Sequence, residues 1–524
     1  MKTSNIIAGK EVKGSGKTFQ SQNPSTLSAN EGEFEIATID NVNQAVNAAA
    51  TAFKSYKITT GKKKAELLRT IASEIEAIGD PLIERAVKES GLPRGRFMGE
   101  RGRTCGQLRM FADLVEEGSW VEARIDAALP DRKPMPRVDI RNMLQPLGPV
   151  VIFGASNFPL AFSTAGGDTA SALAAGCPVI VKAHPSHPGT NALVSEAVAK
   201  ALEKCELPAG IFSTLYDNGY SIGTALVQHP NIAAVGFTGS EAGGKALMDI
   251  AAKREFPIPV YAEMGSTNPV FILPEKLESE LDTLPKVIAD SVNMGVGQFC
   301  TNPGLLIVIE GKNLSAFTKN LEQAFEELIS FTMLNKGIHK NYINKREKAL
   351  KSEGVTTIKA KNQSSETLQA PPTIAKVSYA QFKKNPNLHE EVFGPFTMMV
   401  VCKDKSEMQS LAENQKGQLT STILGTDNDL KDNVELIHII SDKVGRIVFN
   451  GVPTGVEVGH AMHHGGPFPA SSNGRYTSVG TGAIKRFARP VAWQNCPETL
   501  LPPALKMDNP LGIWRLVNGE TVKS

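Results

Sequence analysis

The sequence predicts an α/β fold built on two mainly parallel sheets, with a separate β arm. In residues 148–264, short apolar runs such as Val150–Phe153 alternate with helical stretches, as in a parallel sheet with crossover helices. The same alternation resumes after Pro269. A proline-rich stretch at 130–136 leads into an alternating strand pattern at 138–141, which we interpret as part of an arm. The 524 residues allow about three folding units.

The amino-terminal region is predicted to be mainly helical after a short strand around Ile6. Apolar residues, Leu67 among them, recur at helical spacing in residues 41–55 and 62–90. Asp40 stands just before the first of these stretches and is the expected N-cap. The pattern therefore predicts two long helices.

Ligands are expected at one edge of the first sheet. Right-handed crossovers bring the carboxyl ends of all its parallel strands to that edge. Lys182 ends one strand and could reach a sugar hydroxyl or a phosphate, while residues 237–240 (Phe-Thr-Gly-Ser) end another and open a helix whose free N–H groups can receive a pyrophosphate. Glu263 ends a third strand, where it could act as a general base or pair with an arginine.

Composition and charge exclude several classes of protein. Lysine and arginine exceed aspartate and glutamate by 56 − 54 = 2, so no general basic field is present to collect nucleic acid or an anionic membrane. No apolar run approaches the about 18 residues of a membrane span, and the start of the chain lacks the apolar core of a secretory signal. The six cysteines form no CxxC pair, which argues against a zinc knuckle or a disulfide framework. A cytoplasmic location is therefore expected.

Three patterns resemble ligand motifs without completing them. Residues 14–18 (Gly-Ser-Gly-Lys-Thr) look like the end of a phosphate-binding loop, but Glu11 stands where that motif needs its first glycine, so a turn is expected. His184 with His187, and the histidines of residues 460–464, have metal-like spacings without a carboxylate or thiol complement, so we expect polar loop residues and no metal. Because the chain has no GxGxxG, a nicotinamide cofactor must be held in another way.

A cysteine and an asparagine in loops are the candidates for chemistry. Cys300 lies in residues 297–301 (Gly-Gln-Phe-Cys-Thr), where it can be an exposed nucleophile, although a lone cysteine is more often a small buried hydrophobe. Asn157 lies between a strand and the proline that opens a helix. Its amide could donate to a developing oxyanion or cap that helix.

Together these motifs resemble the aldehyde dehydrogenase superfamily over nearly the whole chain. The resemblance rests, in the family's order and spacing, on Asn157-Phe158-Pro159, Lys182, residues 237–240, Glu263-Met264-Gly265, Gly297-Gln298-x-Cys300-Thr301 and residues 390–395 (Glu-Glu-Val-Phe-Gly-Pro). It implies a Rossmann-type parallel-sheet domain for a nicotinamide cofactor, an α/β catalytic domain and a β oligomerisation arm that pairs subunits as homodimers or homotetramers.

The family's organisation implies domain limits in this chain. The cofactor domain is expected at residues 1–128 and 148–262, and the catalytic domain at 263–472. The arm and the carboxy-terminal tail are expected at 129–147 and 473–524.

The family also implies roles for individual residues. Cys300 matches the nucleophile that attacks the aldehyde to give a thiohemiacetal, and Asn157 with the Cys300 N–H matches the oxyanion hole. Glu263 matches the base that activates water to hydrolyse the resulting thioester. The residues matched to the cofactor are Phe153, Lys182, Pro185, Gly239, Ser240, Gly244, Met264, Glu391 and Phe393. The residues expected to contact the substrate aldehyde are Arg103, Phe158 and Phe468.

Two departures from the family pattern refine the cofactor and the substrate. NAD-preferring members often carry a glutamate three residues after the lysine; Pro185 stands there, so no acid repels a 2′-phosphate, and NADP is slightly favoured over NAD. The family's usual Pro-Phe-Gly-Gly is replaced by residues 464–471 (His-Gly-Gly-Pro-Phe-Pro-Ala-Ser). With residues 182–189 and 297–304, this indicates a subgroup similar to the 2-oxoglutarate semialdehyde (2,5-dioxopentanoate) dehydrogenases, related to a branch that oxidises long fatty aldehydes.

Arg103 bears on the choice between these substrates. It lies on the helix at 100–109, which corresponds to the family helix at the substrate entrance, where enzymes for hydrophobic aldehydes have an apolar residue. A guanidinium there could clamp a distal carboxylate, or it could be a surface arginine. Two other classes stay open: a cysteine hydrolase or acyltransferase without a redox step, and a non-enzymatic protein on the same fold.

Overall fold

The computed structural model describes residues 3–360 and 367–523. In this part of the chain the strands are β1 (Asn5–Ile7), β2 (Lys10–Val12), β3 (Thr18–Phe19), β4 (Phe34–Glu35), β5 (Arg124–Asp126), β6 (Ile140–Pro146), β7 (Val150–Phe153), β8 (Val179–Lys182), β9 (Phe212–Leu215), β10 (Ala234–Thr238), β11 (Val260–Glu263), β12 (Val270–Ile272), β13 (Leu305–Ile309), β14 (Phe331–Thr332), β15 (Thr356–Ala360), β16 (Gln369–Ala370), β17 (Thr373–Ser378), β18 (Phe396–Cys402), β19 (Gln418–Leu424), β20 (Val444–Phe449), β21 (Ala488–Gln494), β22 (Arg515–Val517) and β23 (Glu520–Val522).

The α-helices of the same residues lie mainly between the strands. They are α1 (Ile39–Tyr56), α2 (Gly61–Ile78), α3 (Asp80–Ser90), α4 (Arg94–Glu117), α5 (Gly167–Ala175), α6 (Pro188–Lys204), α7 (Ser221–Gln228), α8 (Glu241–Ala252), α9 (Pro274–Ser279), α10 (Leu284–Asn293), α11 (Leu314–Glu327), α12 (Lys336–Leu350), α13 (Tyr379–Lys384), α14 (Lys405–Glu413), α15 (Asp427–Asp432) and α16 (Val434–Ser441). Among the described residues, none of these helices has the length and apolar character needed to cross a membrane.

The first sheet has the strand order β11-β10-β7-β8-β9-β1-β2. The five strands from β11 to β9 are parallel, and β7 and β8 are buried on both faces, which explains their continuous apolar sequences. The register pairs Phe153 with Lys182, and Thr238 with Glu263. These four residues therefore lie at the carboxyl edge of neighbouring strands, as the alternating pattern predicts.

The second sheet has the order β15-β17-β18-β13-β12-β19-β20 and is parallel except for the β15–β17 pair. Its final strand, β20, lies at the sheet edge. The third sheet, of order β21-β6-β5-β22-β23, joins segments from before the first parallel sheet and from the end of the chain. The strand expected at 138–141 begins at Ile140 and runs to Pro146.

Two predictions about the amino-terminal helices are wrong in detail. The N-cap of α1 is Thr38, not Asp40: the Thr38 hydroxyl accepts a hydrogen bond from the Asn41 N–H, and the Asn41 side chain accepts one from the Thr38 N–H. The helix expected at 62–90 is two helices, because Gly79 separates them with φ +68° and ψ −137°. The spacing of apolar residues does not reveal this break, because both helices bury their apolar faces in the same core.

Candidate active site

The loop that carries Cys300 has an unusual backbone. Gly295, Val296 and Gly297 follow one another at φ +57°, +62° and +63°. A left-handed conformation is strained for a β-branched residue such as Val296. A Cβ on Gly297 would lie 2.2 Å from the Gly394 backbone, so only glycine allows this approach. The loop is thereby held against the segment that contains residues 390–395.

Asn268 fixes the backbone beyond the nucleophile. Its Nδ2 donates to the carbonyl oxygens of Cys300 and Asn302, each at 2.9 Å. Its Oδ1 accepts from the hydroxyls of Ser266 and Thr420. Because Asn268 is fully buried, these bonds hold the Cys300 peptide in one orientation.

The structure brings together Cys300, Glu263 and a third residue, His464. The Cys300 Sγ lies 3.3 Å from His464 Nε2, and the same Nε2 lies 2.9 Å from Glu263 Oε1. The Ser478 hydroxyl donates to Glu263 Oε2 at 2.5 Å. The His464 N–H donates to the Thr477 hydroxyl, which fixes the histidine backbone. One imidazole nitrogen thus connects the candidate nucleophile with the candidate base.

The expectation that His464 is a polar loop residue without a thiol or carboxylate complement is therefore wrong. Its complement comes from Cys300 and Glu263, which lie 164 and 201 residues away in the sequence. A local spacing rule cannot find such partners. The available signal was that His464 begins the segment that replaces the family's Pro-Phe-Gly-Gly.

The pKa values of Cys300 and Glu263 are shifted by burial and by hydrogen bonding. Burial raises the pKa of the Cys300 thiol well above its usual value, and the nearby Glu263 carboxylate raises it further. For Glu263 itself, burial acts to raise the pKa, but the His464 and Ser478 contacts outweigh it, so the pKa of this carboxyl is lowered. The resting site therefore favours a protonated thiol beside an ionised carboxylate.

Asn157 and Phe158 lie on the other side of the nucleophile loop. Asn157 Nδ2 donates to the Gln298 carbonyl at 3.1 Å, and because an amide nitrogen carries two hydrogens, a second N–H is left for a ligand. The Phe158 ring packs edge-on against Phe299 at 5.4 Å. Sequence reasoning missed Arg96, whose guanidinium lies 4.3 Å from the Phe158 ring and 4.6 Å from the Phe299 ring.

Arg103 lines a groove of about 480 Å³ between α4 and residues 456–460. Its Nη1 donates to the Val456 carbonyl at 2.7 Å, while its buried Nε has no partner among the described residues. Gln107, one helical turn further along α4, is 2% exposed, and neither of its amide atoms is hydrogen-bonded within the described part of the chain. Burial lowers the pKa of the Arg103 guanidinium. The groove is therefore lined by two side chains whose buried polar atoms have no partner among the described residues.

Phe468 is placed differently from the other residues expected to contact substrate. Its side chain is 53% exposed, whereas Phe158 is buried. We find no contact that brings Phe468 to Cys300 among those recorded for residues 3–360 and 367–523. Its role in substrate binding stays a prediction.

The residues expected to hold a cofactor lie along the carboxyl edge of the first sheet. Lys182 Nζ donates to the Asp217 carbonyl at 2.8 Å, and burial lowers its pKa to about 8. Ser240 caps α8 by accepting from the Gly243 N–H at 3.2 Å. The Gly239 N–H donates to the Glu263 carbonyl at 3.0 Å, which joins this helix start to β11.

Three further cofactor candidates pack around these strands. Gly244 is buried, and a Cβ there would lie 2.5 Å from Met264 Sδ, so α8 approaches β11 closely. The Phe153 ring packs edge-on against Phe237 at 6.1 Å. Pro185 lines a separate cavity of about 230 Å³ in which Lys336 is a cationic lining residue.

Glu391 and Phe393 line one pocket with Gly297, beside the nucleophile loop. Burial raises the pKa of Glu391 to about 7. A Cβ on Gly265 would lie 2.5 Å from Glu391 Oε2, so this glycine leaves room for the carboxyl group. Glu391 and Phe393 thus lie next to the loop that carries Cys300, just before β18 of the second sheet.

The donor set fits a nicotinamide dinucleotide. The exposed start of α8 at Gly239 and Ser240 suits a pyrophosphate, and Lys182 suits a ribose or a phosphate. The Thr238 hydroxyl at the same edge is buried without a partner in the described residues, so it is available to a ligand. Glu391 can accept from ribose hydroxyls beside Cys300.

The other apparent ligand motifs are structural. In residues 14–18 the Gly16 N–H donates to Glu35 Oε1, and the segment bends at residues 15–16 and runs into β3 at Thr18 without entering a helix. His184 and His187 stack at 5.4 Å, and His187 Nε2 bonds to the Ala155 carbonyl.

Comparison with known proteins gives one consistent result. A model of the aldehyde dehydrogenase family matches residues 12–490. The alpha-ketoglutaric semialdehyde dehydrogenase 2 of Azospirillum brasilense is 48% identical over 516 residues, and the alignment covers 98% of each chain. The alpha-ketoglutaric semialdehyde dehydrogenase of Acinetobacter baylyi is 46% identical over 516 residues, again with 98% of each chain covered.

A solved structure supports the fold. The NAD+ complex of an aldehyde dehydrogenase from Bacillus cereus superposes with a TM-score of 0.80 at 22% identity, over 94% of this chain and 96% of that chain. The predicted α/β architecture and the resemblance drawn from the motifs are thereby confirmed, and the chain belongs to the aldehyde dehydrogenase family.

Proposed function

We propose that this enzyme oxidises 2-oxoglutarate semialdehyde to 2-oxoglutarate, with NADP or NAD as the hydride acceptor. The observation that carries the proposal is the contact of Cys300 Sγ with His464 Nε2 and of that nitrogen with Glu263 Oε1. It joins a nucleophile to a base inside a family of aldehyde oxidisers. Two relatives over nearly the full length carry the name of this semialdehyde.

The first step forms a bond between Cys300 Sγ and the aldehyde carbon. Since burial keeps the thiol protonated, attack requires a proton acceptor within reach. His464 Nε2 lies 3.3 Å from Sγ and is hydrogen-bonded to Glu263 Oε1, so it can take the thiol proton as it passes its own proton to the Glu263 carboxylate. The alkoxide of the thiohemiacetal accepts hydrogen bonds from the second Asn157 N–H and from the Cys300 backbone N–H.

The second half of the reaction leaves a thioester on Cys300, which water hydrolyses. The nicotinamide, when bound, supplies the acceptor for the hydride that leaves the substrate carbon. The Glu263 carboxylate has a lowered pKa and is by itself a weak base. After the thiol proton has left Glu263 for solvent, the carboxylate and His464 form a two-residue base that takes the proton of the attacking water and returns it to the Cys300 thiolate as the acid is released.

The cofactor would be held by the sheet edge and the segment around Glu391. Lys182, Ser240 and the α8 start would hold the adenosine and pyrophosphate end, and Glu391 with Phe393 the nicotinamide ribose. Because Pro185 replaces an acid, a 2′-phosphate meets no repulsion there. We therefore propose that NADP is used as well as NAD, with NADP slightly preferred.

The far end of the substrate would occupy the groove lined by Arg103 and Gln107. The oxo-acid group of the semialdehyde carries a carboxylate and a ketone oxygen, which are acceptors for a guanidinium and an amide. Both side chains have buried donor groups without partners in the described residues. A fatty aldehyde would leave these donors unpaired, which is costly. The groove thus favours the oxo acid over the long-chain alternative.

The test compares reduction of NADP and of NAD with 2-oxoglutarate semialdehyde and with decanal. We expect kcat/KM to be higher for the semialdehyde, and Cys300→Ala to lower kcat by at least about 1,000-fold. Arg103→Ala should raise KM for the semialdehyde about 10- to 100-fold and leave a small neutral aldehyde unaffected. Arg109→Ala, on the same helix but paired with Glu76, is the matched control.

Each component can fail separately. A preference for decanal would assign the chain to fatty aldehydes. Equal losses on both substrates in Arg103→Ala would refute the carboxylate clamp. Full activity in Cys300→Ala would overturn the mechanism, and ester cleavage without any cofactor requirement would point to the hydrolase class.

We also propose that the first sheet binds the cofactor, the second carries the nucleophile, and the third pairs subunits into homodimers or homotetramers. The edge strands β20 and β21 have no neighbour on one side among the described residues, and Phe449 at the end of β20 is 47% exposed. Light scattering that gives the monomer mass at micromolar concentration would refute the pairing of subunits.

The six cysteines are free, which suits the reducing cytoplasm that we propose for the enzyme.

A further inference from the structure

The three side chains of the proposed proton path are also of the types that can hold a metal ion. The side-chain ligand atoms of Cys300, His464 and Glu263 all lie within 4.8 Å of one another. A thiolate, an imidazole and a carboxylate are the three ligand types that zinc takes from proteins. Sequence spacing indicates no such site, because its members come from three distant segments.

Two of the three distances between the ligand atoms lie close to those found around a zinc ion. A tetrahedral zinc ion, with bonds of about 2.0 Å to nitrogen or oxygen and about 2.3 Å to sulfur, needs ligand atoms about 3.3 to 3.5 Å apart. The Sγ–Nε2 distance is 3.3 Å and the Nε2–Oε1 distance is 2.9 Å. These two distances are within about half an ångström of the tetrahedral values, and Sγ and Oε1 lie within 4.8 Å of each other.

The surroundings also support a bound cation. The Ser478 hydroxyl holds the second carboxylate oxygen of Glu263, which orients the first toward His464. His464 Nδ1 is buried and has no partner in the described residues, so it can carry the proton that leaves Nε2 when a metal binds there. Cys300 is partly exposed, which gives an ion from solvent access to the site.

We propose that Cys300, His464 and Glu263 bind Zn²⁺ and that zinc reversibly inhibits the enzyme by occupying its nucleophile. The proposal rests on the same site as the proposed function. On binding, the Cys300 thiol releases its proton to solvent, and Sγ, Nε2 and Oε1 each donate an electron pair to the ion. The fourth position holds water. No electron is transferred, and a chelator restores the free thiol.

The first experiment uses Co²⁺ as a spectroscopic substitute for zinc in the full-length protein. We expect one equivalent of Co²⁺ to give thiolate-to-metal charge-transfer absorption in the near ultraviolet, which Zn²⁺ displaces. Cys300→Ala should abolish the absorption. Cys496→Ser should retain it, because Cys496 is the other free cysteine that is not fully buried. The absence of this absorption in the wild-type protein would overturn the proposal.

The second experiment separates a three-residue site from simple binding to a thiol. His464→Gln keeps a hydrogen-bonding amide near Glu263 but removes the imidazole ligand. We expect its Zn²⁺ affinity, measured by competition with a chelator, to fall by more than about 100-fold, since loss of outer-shell partners alone costs about 10- to 100-fold. Unchanged affinity would mean that zinc binds only the cysteine, and would refute the site. Cobalt absorption in a protein that oxidises no aldehyde would refute the proposed function and leave the metal site standing.

Discussion

Gln107 is a buried amide without a partner among the described residues, and such groups cost stability. We expect Gln107→Leu, which keeps the side-chain volume, to raise the free energy of unfolding by about 1 to 2 kcal/mol. The same change should raise KM for 2-oxoglutarate semialdehyde about tenfold, because a substrate hydrogen bond is lost. Urea denaturation and initial rates measure the two effects.

Gln415→Leu is the control for this prediction. Its Nε2 is also buried without a partner in the described chain, but it lies outside the groove. The Gln415→Leu variant should have a higher free energy of unfolding than the wild-type protein and an unchanged KM for the semialdehyde. If Gln107→Leu binds the semialdehyde as well as the wild-type enzyme does, the amide has no part in recognition.

Lys182 gives the cofactor preference a dependence on pH. Burial lowers the pKa of its ammonium group to about 8, so the free enzyme loses this charge as the pH rises through that value. We expect kcat/KM for NADP to fall about tenfold relative to that for NAD between pH 7 and pH 9, because a 2′-phosphate loses its cation. Lys182→Met should show a flat ratio over this range; a wild-type ratio that is equally flat would contradict the assignment.

The residues that sequence reasoning missed were missed for physical reasons. Cys300, Glu263 and Asn157 belong to short local motifs at loop and strand ends, so adjacent residues are enough to name them as candidates. His464 acquires its chemistry only from partners brought in by folding. Arg96 likewise depends on two aromatic rings from separate segments. Local patterns do not contain these contacts.

At the scale of elements, the break between α2 and α3 depends on one glycine. Gly79 has φ +68° and ψ −137°, and a Cβ there would meet nothing within 4 Å, so any cost of a side chain is a backbone cost. We expect Gly79→Ala to lower the free energy of unfolding by about 1 to 3 kcal/mol. Thermal or urea denaturation measures the change.

Gly99→Ala is the matched control for the glycine prediction. Gly99 lies in the interior of α4, and a Cβ there also meets nothing within 4 Å. The substitution should raise the free energy of unfolding by about 0.5 to 1 kcal/mol, because alanine loses less conformational freedom in a helix. The two substitutions should thus change the free energy of unfolding in opposite directions, and a change in the same direction for both would contradict this prediction.

Strands and helices could be predicted where buried apolar residues form a clear pattern, but the residues at which they begin and end were harder to predict. The parallel strands of the first sheet follow from continuous apolar runs such as those of β7 and β8. The start of α1 depends instead on the reciprocal hydrogen bonds of Thr38 and Asn41. A threonine and an aspartate are both acceptable N-caps, so composition alone does not choose between them.

At the scale of the whole molecule, the three sheets could be predicted, but the pairing of strands from distant parts of the chain could not. The third sheet takes β5 and β6 from the amino-terminal half and β21 to β23 from the end of the chain. Alternating patterns predict that such strands exist, but they do not say which distant strands pair. The carboxy-terminal segment contributes strands to the third sheet and, through the Ser478 hydroxyl, a hydrogen bond to Glu263 in the candidate active site.

The wide separation in sequence of the three candidate catalytic residues has a consequence for how the enzyme regains activity after denaturation. Glu263 ends a strand of the first sheet, Cys300 lies between α10 and β13, and His464 follows β20. Each sheet can form without assembling the proton path, since that path spans contacts of 164 and 201 residues. Closing such long intervals is slow compared with forming helices. Aldehyde oxidation is thus a late reporter of folding, and it should return after the helical circular dichroism signal has recovered.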